Sequence, residues 1–231
     1  MPRHTPPEPS KWNETDLIAM SALQGLPGPY VTWSVWSIRP AVLMTILNYI
    51  SVYQPGLIVE LGGGTSSIYI GRLIRTRGGR LITVEHDERW LEHTSRALSA
   101  EGLAAGSVEL VHAPLVPIRS EHAEEVAASQ RPSEWYDPQP LAERLDRPID
   151  LLIIDGPPGS GQETLNRYPA IPVLEEHLAP DCIVVVDDAD RAPEAAMIKL
   201  WSRRPGRRFR HVDHLGVAVQ APPGPAALWP K

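Results

Sequence analysis

The sequence predicts an α/β domain built on a mostly parallel β-sheet. Three observations carry that expectation. From residue 57 onward, short apolar runs alternate with longer segments of helical spacing, the trace that strand–helix–strand units leave. Two runs, LLII (151–154) and IVVV (183–186), are apolar without interruption, as in strands covered on both faces. The run Leu57–Leu61 passes directly into Gly62-Gly63-Gly64 and Thr65-Ser66-Ser67, a bare turn and a polar cap that open a helix after a strand.

The elements follow in order. Residues 1–11 are proline-rich and polar and read as a mobile arm. Asn13–Gln24 has the apolar spacing of a short helix, closed by the breakers Gly25–Pro29. Ile38–Val52 is a stronger helix, with Pro40 tolerated in its first turn. Leu57–Leu61 is the first strand, and Ser66–Arg77 is a helix capped by Thr65 or Ser66. Arg80–Glu85 is the second strand, Glu88–Glu101 a helix ended by Gly102, and Ser107–His112 the third strand. Residues 116–147 interrupt the rhythm with a charged segment of helical composition, SEHAEEVAASQ, then PSEWYDPQP; an insertion of this length is a lid or a surface excursion. Pro148 and Ile149 lead into the fourth strand, Leu151–Asp155; Tyr168–Leu178 carries a helix, Cys182–Asp187 is the fifth strand and Pro193–Trp201 a helix. Phe209–Asp213 and Gly216–Gln220 are final strands joined by a tight turn, and the tail 221–231 is too rich in proline for regular structure. The division is an arm and lid helix (1–37), a domain (38–220) and a tail.

Composition bounds the function. The 231 residues suffice for one sizeable α/β domain with appendages. A net charge of −6 argues against a chain built to coat nucleic acid. The single cysteine, Cys182, lies beside a strand and excludes an internal disulfide framework or a zinc knuckle. The first residues lack an apolar signal core, and no apolar run approaches the ~20 residues that span a bilayer. The expectation is a cytoplasmic protein with no membrane partner.

A helix N-terminus after a strand offers free N–H groups and the positive end of a dipole, and glycines admit a ligand to that backbone. A triphosphate loop needs a lysine after its glycines, and none follows Gly64. A dinucleotide loop needs a third glycine where Ser67 stands. A third pattern is E-x-G-x-G, Glu60 through Gly64, with a plain tight turn as the alternative. Its acid suits a ligand carrying an ammonium group and no pyrophosphate, the logic of an S-adenosylmethionine (SAM) site. Glu85 ends the second strand, where an acid accepts hydrogen bonds from ribose hydroxyls.

VELGGGTSS, LITVEHD, DLLIIDGPPG and IVVVDDADR, in that order, resemble the ordered motifs of class I SAM-dependent methyltransferases, most closely a small family whose fourth motif reads DGPPG. The resemblance covers about residues 38–220. It implies a doubly wound, seven-stranded, Rossmann-like sheet with its last strand antiparallel, and SAM across the carboxyl ends of the first four strands. Carried over, Glu60, Gly62 and Gly64 face the methionine part, Ser66 opens the following helix beside it, and Glu85 meets the ribose with His86 nearby. The acid that often follows the third strand is missing from His112-Ala113-Pro114-Leu115, so adenine recognition falls to backbone around Ala113.

Asp155 ends the fourth strand and Asp187-Asp188 the fifth. In the implied fold these strands are neighbours, so the three carboxylates converge at one edge of the pocket. Such acids repel one another unless protonated or bridged by a cation. Mg²⁺, Mn²⁺ or Ca²⁺ would suit them, and a held hydroxyl would lose its proton more readily. The arrangement is similar to the metal site of catechol-type O-methyltransferases, except that an Asp-Asp pair replaces Asp-Asn and Gly-Pro-Pro-Gly follows Asp155. A general base without metal, or simple helix capping, are the alternatives. Asp155 would in addition border the cofactor.

Gly156–Gln162 is expected to shape the acceptor pocket, with Arg167 and Tyr168 orienting that loop, orienting an anionic acceptor, or simply packing. Tyr30, Trp33 and Trp36, and Trp135-Tyr136 in the insertion, are core aromatics or walls that exclude water. The basic run Arg203–Arg210 reads as a solvated face. The expected activity is methyl transfer from SAM to a small-molecule hydroxyl, with a homodimer as the assembly to test. The rivals are an NAD-dependent oxidoreductase, for which a Tyr-x-x-x-Lys pair is lacking, and a non-catalytic RNA-binding protein on the same fold.

Overall fold

Along each central strand, alternate residues pack on opposite faces of the sheet. In β1 (Leu57–Leu61), Leu57, Val59 and Leu61 join one buried cluster and Ile58 the other. In β6 (Ile149–Ile154), Leu151 and Ile153 face one side while Leu152 and Ile154 face the other. The two-residue period of the strand and the unbroken apolar run together call for cover on both faces. The covering elements are α1 (Glu14–Leu23), α2 (Pro40–Tyr53), α3 (Thr65–Arg77) and α4 (Glu88–Ala100) on the Ile58 face. The other face carries α5 (Gln139–Ala142), α6 (Ala170–Leu174) and α7 (Ala192–Trp201). These elements come from a computed structural model that describes residues 13–104, 106–159 and 163–222. The expected arm (1–11), three residues of the Gly156–Gln162 loop and most of the tail lie outside the described residues.

The remaining strands are β2 (Arg80–Glu85), β3 (Val108–His112), β4 (Leu115–Pro117), β5 (Glu134–Tyr136), β7 (Leu178–Val186), β8 (Arg210–Val212) and β9 (Val217–Gln220). Among the described residues the main sheet has seven strands in the order β3-β2-β1-β6-β7-β9-β8. β1, β2, β3, β6 and β7 are parallel, and β9 runs antiparallel to both its neighbours. The doubly wound sheet and its antiparallel last strand agree with expectation. From β1 the chain steps outward to β2 and β3, then returns to place β6 on the other side. The carboxyl ends of β1 and β6 therefore flank the topological switch point, where open α/β sheets bind ligands.

The insertion departs from expectation. SEHAEEVAASQ forms two short 3₁₀ turns, Ser120–His122 and Ala128–Gln130, not an α-helix. Its flanks pair as an antiparallel hairpin, β4 with β5, in which Leu115 faces Tyr136 and Val116 faces Trp135. Three residues per strand and Pro117 in the first of them leave no readable alternation. The expected helix 168–178 is shorter, Ala170–Leu174 with a 3₁₀ turn after it, and β7 begins earlier than predicted. No helix among the described residues is long and apolar enough to cross a membrane.

Candidate active site

The strand ends are in register. Gly62 donates its N–H to Val84 O, Asp155 to Leu61 O, Asp187 to Ile154 O and Ala113 to Glu85 O, each at 2.9–3.0 Å. Glu60, Gly62–Gly64, Glu85, Asp155 and Asp187-Asp188 therefore meet at one edge of the sheet, as expected. Ala113 is fully buried and its N–H is already engaged by Glu85 O, so only its other backbone groups remain to read adenine.

The glycine loop is a hydrogen-bonded unit. Gly62 has φ +88° and Gly64 φ +156°, conformations that L side chains rarely adopt. Ser67 Oγ accepts from Gly64 N at 3.0 Å and donates to Glu60 Oε2 at 2.5 Å. Thr83, across the strand pair from Glu60, donates to the same oxygen at 2.8 Å. Glu60 is thus folded under the loop, fully buried, and not beside an open pocket as its motif position suggested. Burial raises its pKa against the opposing hydroxyls of Ser66, Ser67 and Thr83, and its Oε1 has no hydrogen-bond partner among the described residues. Ser66 is buried in the first turn of α3.

Glu85 ties the loop to the next helix. Oε2 accepts from Gly63 N at 3.3 Å, and Oε1 accepts from the N–H groups of His86 and Asp87 at 2.7 and 2.9 Å. His86 Nδ1 lies 2.8 Å from Oε1, and that contact raises the histidine's pKa against the opposing effect of burial. Trp90 Nε1 donates to Gly63 O at 2.6 Å, so an indole holds the loop from the α4 side. A cavity of about 410 Å³ opens there, lined by Tyr30, Thr65, Trp90 and His93 among others and by none of the three aspartates.

The acids converge as predicted: Asp155, Asp187 and Asp188 offer oxygens within 4.8 Å of one another. What the sequence did not reveal is the cation among them. Arg167, 5% exposed, donates from Nη2 to Asp155 Oδ1 at 3.3 Å and to Asp188 Oδ2 at 3.1 Å, and from Nη1 to Asp187 O at 3.1 Å. Arg191 reaches Asp188 Oδ2 at 2.7 Å and Glu194 Oε1 at 2.9 Å. Asp188 adopts φ +57°, a left-handed conformation that is uncommon outside glycine and that the paired guanidinium groups hold in place. Burial would lower the Arg167 pKa, but the charges of Asp155, Asp188, Glu194 and Asp187 outweigh it. Burial and the neighbouring Asp187 push Asp155 well above the carboxylate range, and burial with Asp188 pushes Asp187 up to about 7.

Residues 59–189 match a family model described as a methyltransferase domain. The chain belongs to that family. No curated protein matches the methyltransferase chain. Among solved structures, it resembles an SAH-bound methyltransferase of Podospora anserina (TM-score 0.54, 13% identity, 90% of this chain and 87% of that one). An O-methyltransferase of Bacillus cereus in complex with SAH gives TM-score 0.52 at 16% identity, covering 91% of each chain. A putative caffeoyl-CoA O-methyltransferase of Staphylococcus aureus gives 0.54 at 13% identity, covering 90% of this chain and 91% of that one. At these identities the likeness is one of fold.

Of the other expected features of the methyltransferase, Trp33 packs against Tyr69 with ring centroids 5.9 Å apart, while Tyr30 and Trp36 are exposed. Trp135 and Tyr136 are buried. In the basic run, Arg204 and Arg207 pair with Glu175, and Arg204 also with Glu125.

Proposed function

We propose that the methyltransferase transfers the methyl group of SAM to a hydroxyl oxygen of a small-molecule acceptor. One observation carries this reading: the glycine loop with Glu85 and the three-aspartate cluster lie on either side of the switch point, at the ends of neighbouring strands. The SAH complexes and O-methyltransferases among its structural relatives support it.

The residues present fit the cofactor. Gly62 and Gly64 keep the loop free of side chains, which lets Gly156 and Trp90 pack directly on it, Glu85 stands where ribose hydroxyls donate, and the unpartnered Glu60 Oε1 lies below the loop. SAM, when bound, supplies a methyl group on a sulfonium for in-line attack. The cluster acids fit a divalent cation as well. Among the described residues, the four acids Asp155, Asp187, Asp188 and Glu194 share two guanidinium groups, Arg167 and Arg191, so carboxyls that otherwise hold protons could exchange them for a cation. Asp155, Asp187 and Asp188 would hold the cation, whose chemistry there is to lower the pKa of the acceptor hydroxyl. Without the cation, Asp187, pushed up to about 7 and so partly ionised near neutrality, takes the acceptor's proton, and Arg167 keeps the cluster from repelling itself apart.

The test has two arms. S-adenosylhomocysteine (SAH) should raise the melting temperature while NADH does not; stabilisation by NADH alone would sink the reading. Methyl transfer from labelled SAM to a panel of hydroxyl compounds should fall at least about tenfold on exhaustive chelation and return with Mg²⁺. Full activity in chelator leaves the carboxylates as metal-free bases.

A further inference from the structure

We propose that the hydroxyl of Tyr136, delivered by the inserted hairpin, is a cofactor contact that donates a hydrogen bond to the S-adenosyl ligand in the crevice between β1 and β6. The inference rests on the SAM-dependent reading above and adds a ligand-binding residue that none of the four sequence motifs contains: Tyr136 lies between β3 and β6, in the insertion.

The position comes first. A Cβ placed on Gly156 would lie 2.2 Å from Tyr136 Oη and 3.1 Å from Gly62 Cα. The hydroxyl therefore sits against Gly156, the glycine after β6, which itself packs on Gly62, the glycine after β1, at the switch point. The bare Cα of Gly156 is what makes room for it: alanine there would collide with the phenol oxygen. The ring of His86 meets Tyr136 edge-on at 5.9 Å, which places the phenol beside the acid expected at the ribose. The charges acting on the phenol are those of Glu85, Arg167, Asp155 and Glu60, the groups of the cofactor loop and the acid cluster together.

The chemistry is the second argument. Tyr136 is 2% exposed, yet its Oη has no hydrogen-bond partner among the described residues. A buried hydroxyl without a partner costs roughly 1–3 kcal/mol and is rare in folded proteins. The ring is fixed from several sides: Leu115 opposes it across the hairpin, Trp135 packs edge-on at 5.5 Å, and the Asp137 N–H is tied to Pro114 O at 2.9 Å. A rigid ring with an idle donor at a ligand crevice is a preorganised binding group. Burial, reinforced by the Glu85 charge, raises the phenol's pKa well above its usual value, so it keeps its proton and can donate.

Tyr136→Phe tests this, because it removes one oxygen and leaves the packing. Without ligand, the variant should melt at or slightly above the wild-type temperature, since the lost hydroxyl had no partner. Titration calorimetry with SAH should show a Kd raised about tenfold, and the SAH-induced rise in melting temperature should shrink in step. Unchanged SAH affinity overturns the proposal. An unchanged SAH Kd with a raised KM for the methyl acceptor assigns the hydroxyl to the acceptor and also overturns it. A marked fall in ligand-free stability means the hydroxyl is paired within the protein and removes the premise. A wild-type protein that binds no SAH overturns the SAM-dependent reading itself, whereas wild-type binding with an indifferent Tyr136→Phe overturns this assignment alone.

Discussion

Arg167 touches all three aspartates of the cluster from one guanidinium group, two through their carboxylates and one through its backbone carbonyl. Lysine could not do this, because a single ammonium lacks the planar fork. Removing the charge leaves buried acids uncompensated. Arg167→Met, close in volume, should therefore cost about 3–5 kcal/mol of stability, as expected when one partner of a buried pair is lost. Chemical denaturation checks the loss, and a change below about 1 kcal/mol would show that the pairing is not what holds the cluster. The same substitution should increase the stabilisation that added Mg²⁺ provides, since the competing cation is gone. Arg167 was hard to find in the sequence for a physical reason. It lies 12 residues from Asp155 and 21 from Asp188, on an irregular stretch, and a lone arginine carries no periodic signal. The aspartates were readable because Asp155 and the pair Asp187-Asp188 directly follow unbroken apolar strands.

At the scale of elements, the central strands and the helices around them were legible because burial imposes a period. The hairpin was not, since three-residue strands have too few positions to show one, and the alanine- and glutamate-rich segment between them has the composition of a helix without its apolar face. Glu60 shows the same limit within a well-predicted element. Its motif position is right, but the alternation of β1 directs it under α3, toward Thr83 and Ser67. The first helix is a different case, a weakly amphipathic element held by one buried acid. Asp16, fully buried, accepts from Asn13 N, from Ala41 N and from both Nε and Nη2 of Arg39. Leu17 and Ile18 remain exposed on its outer side. Asp16→Ala should release α1 from α2 while the sheet stays folded. Limited proteolysis should then cut the loop 24–29 about tenfold faster or more, because cleavage follows the population of the opened form. Equal cleavage rates in both proteins would mean that apolar packing alone holds the helix.

For the whole molecule, the buried acids couple folding to pH in a direction opposite to the common one. A surface aspartate in a salt bridge has a lowered pKa and stabilises the fold as pH rises. Asp187 is 5% exposed, and burial with the neighbouring Asp188 raises it from 3.8 to about 7. Between those values the folded protein binds a proton that the unfolded chain has released, so stability falls as pH increases through that window. The contribution of a protonated Asp187 is complete below about pH 4 and is lost above about pH 7. Asp187→Asn mimics the protonated acid at every pH. The variant should match the wild type below about pH 4 and exceed it at pH 8, by on the order of 4 kcal/mol. Denaturation in chelator at constant ionic strength measures the difference. Mg²⁺ at pH 8 should narrow it by stabilising the wild type, because the ionised acids are the ones that take a cation. A difference independent of pH would mean that Asp187 keeps its charge in the folded protein. Arg167 would then already neutralise it, and the proposed role of Asp187 as a proton acceptor near neutrality would fall with it.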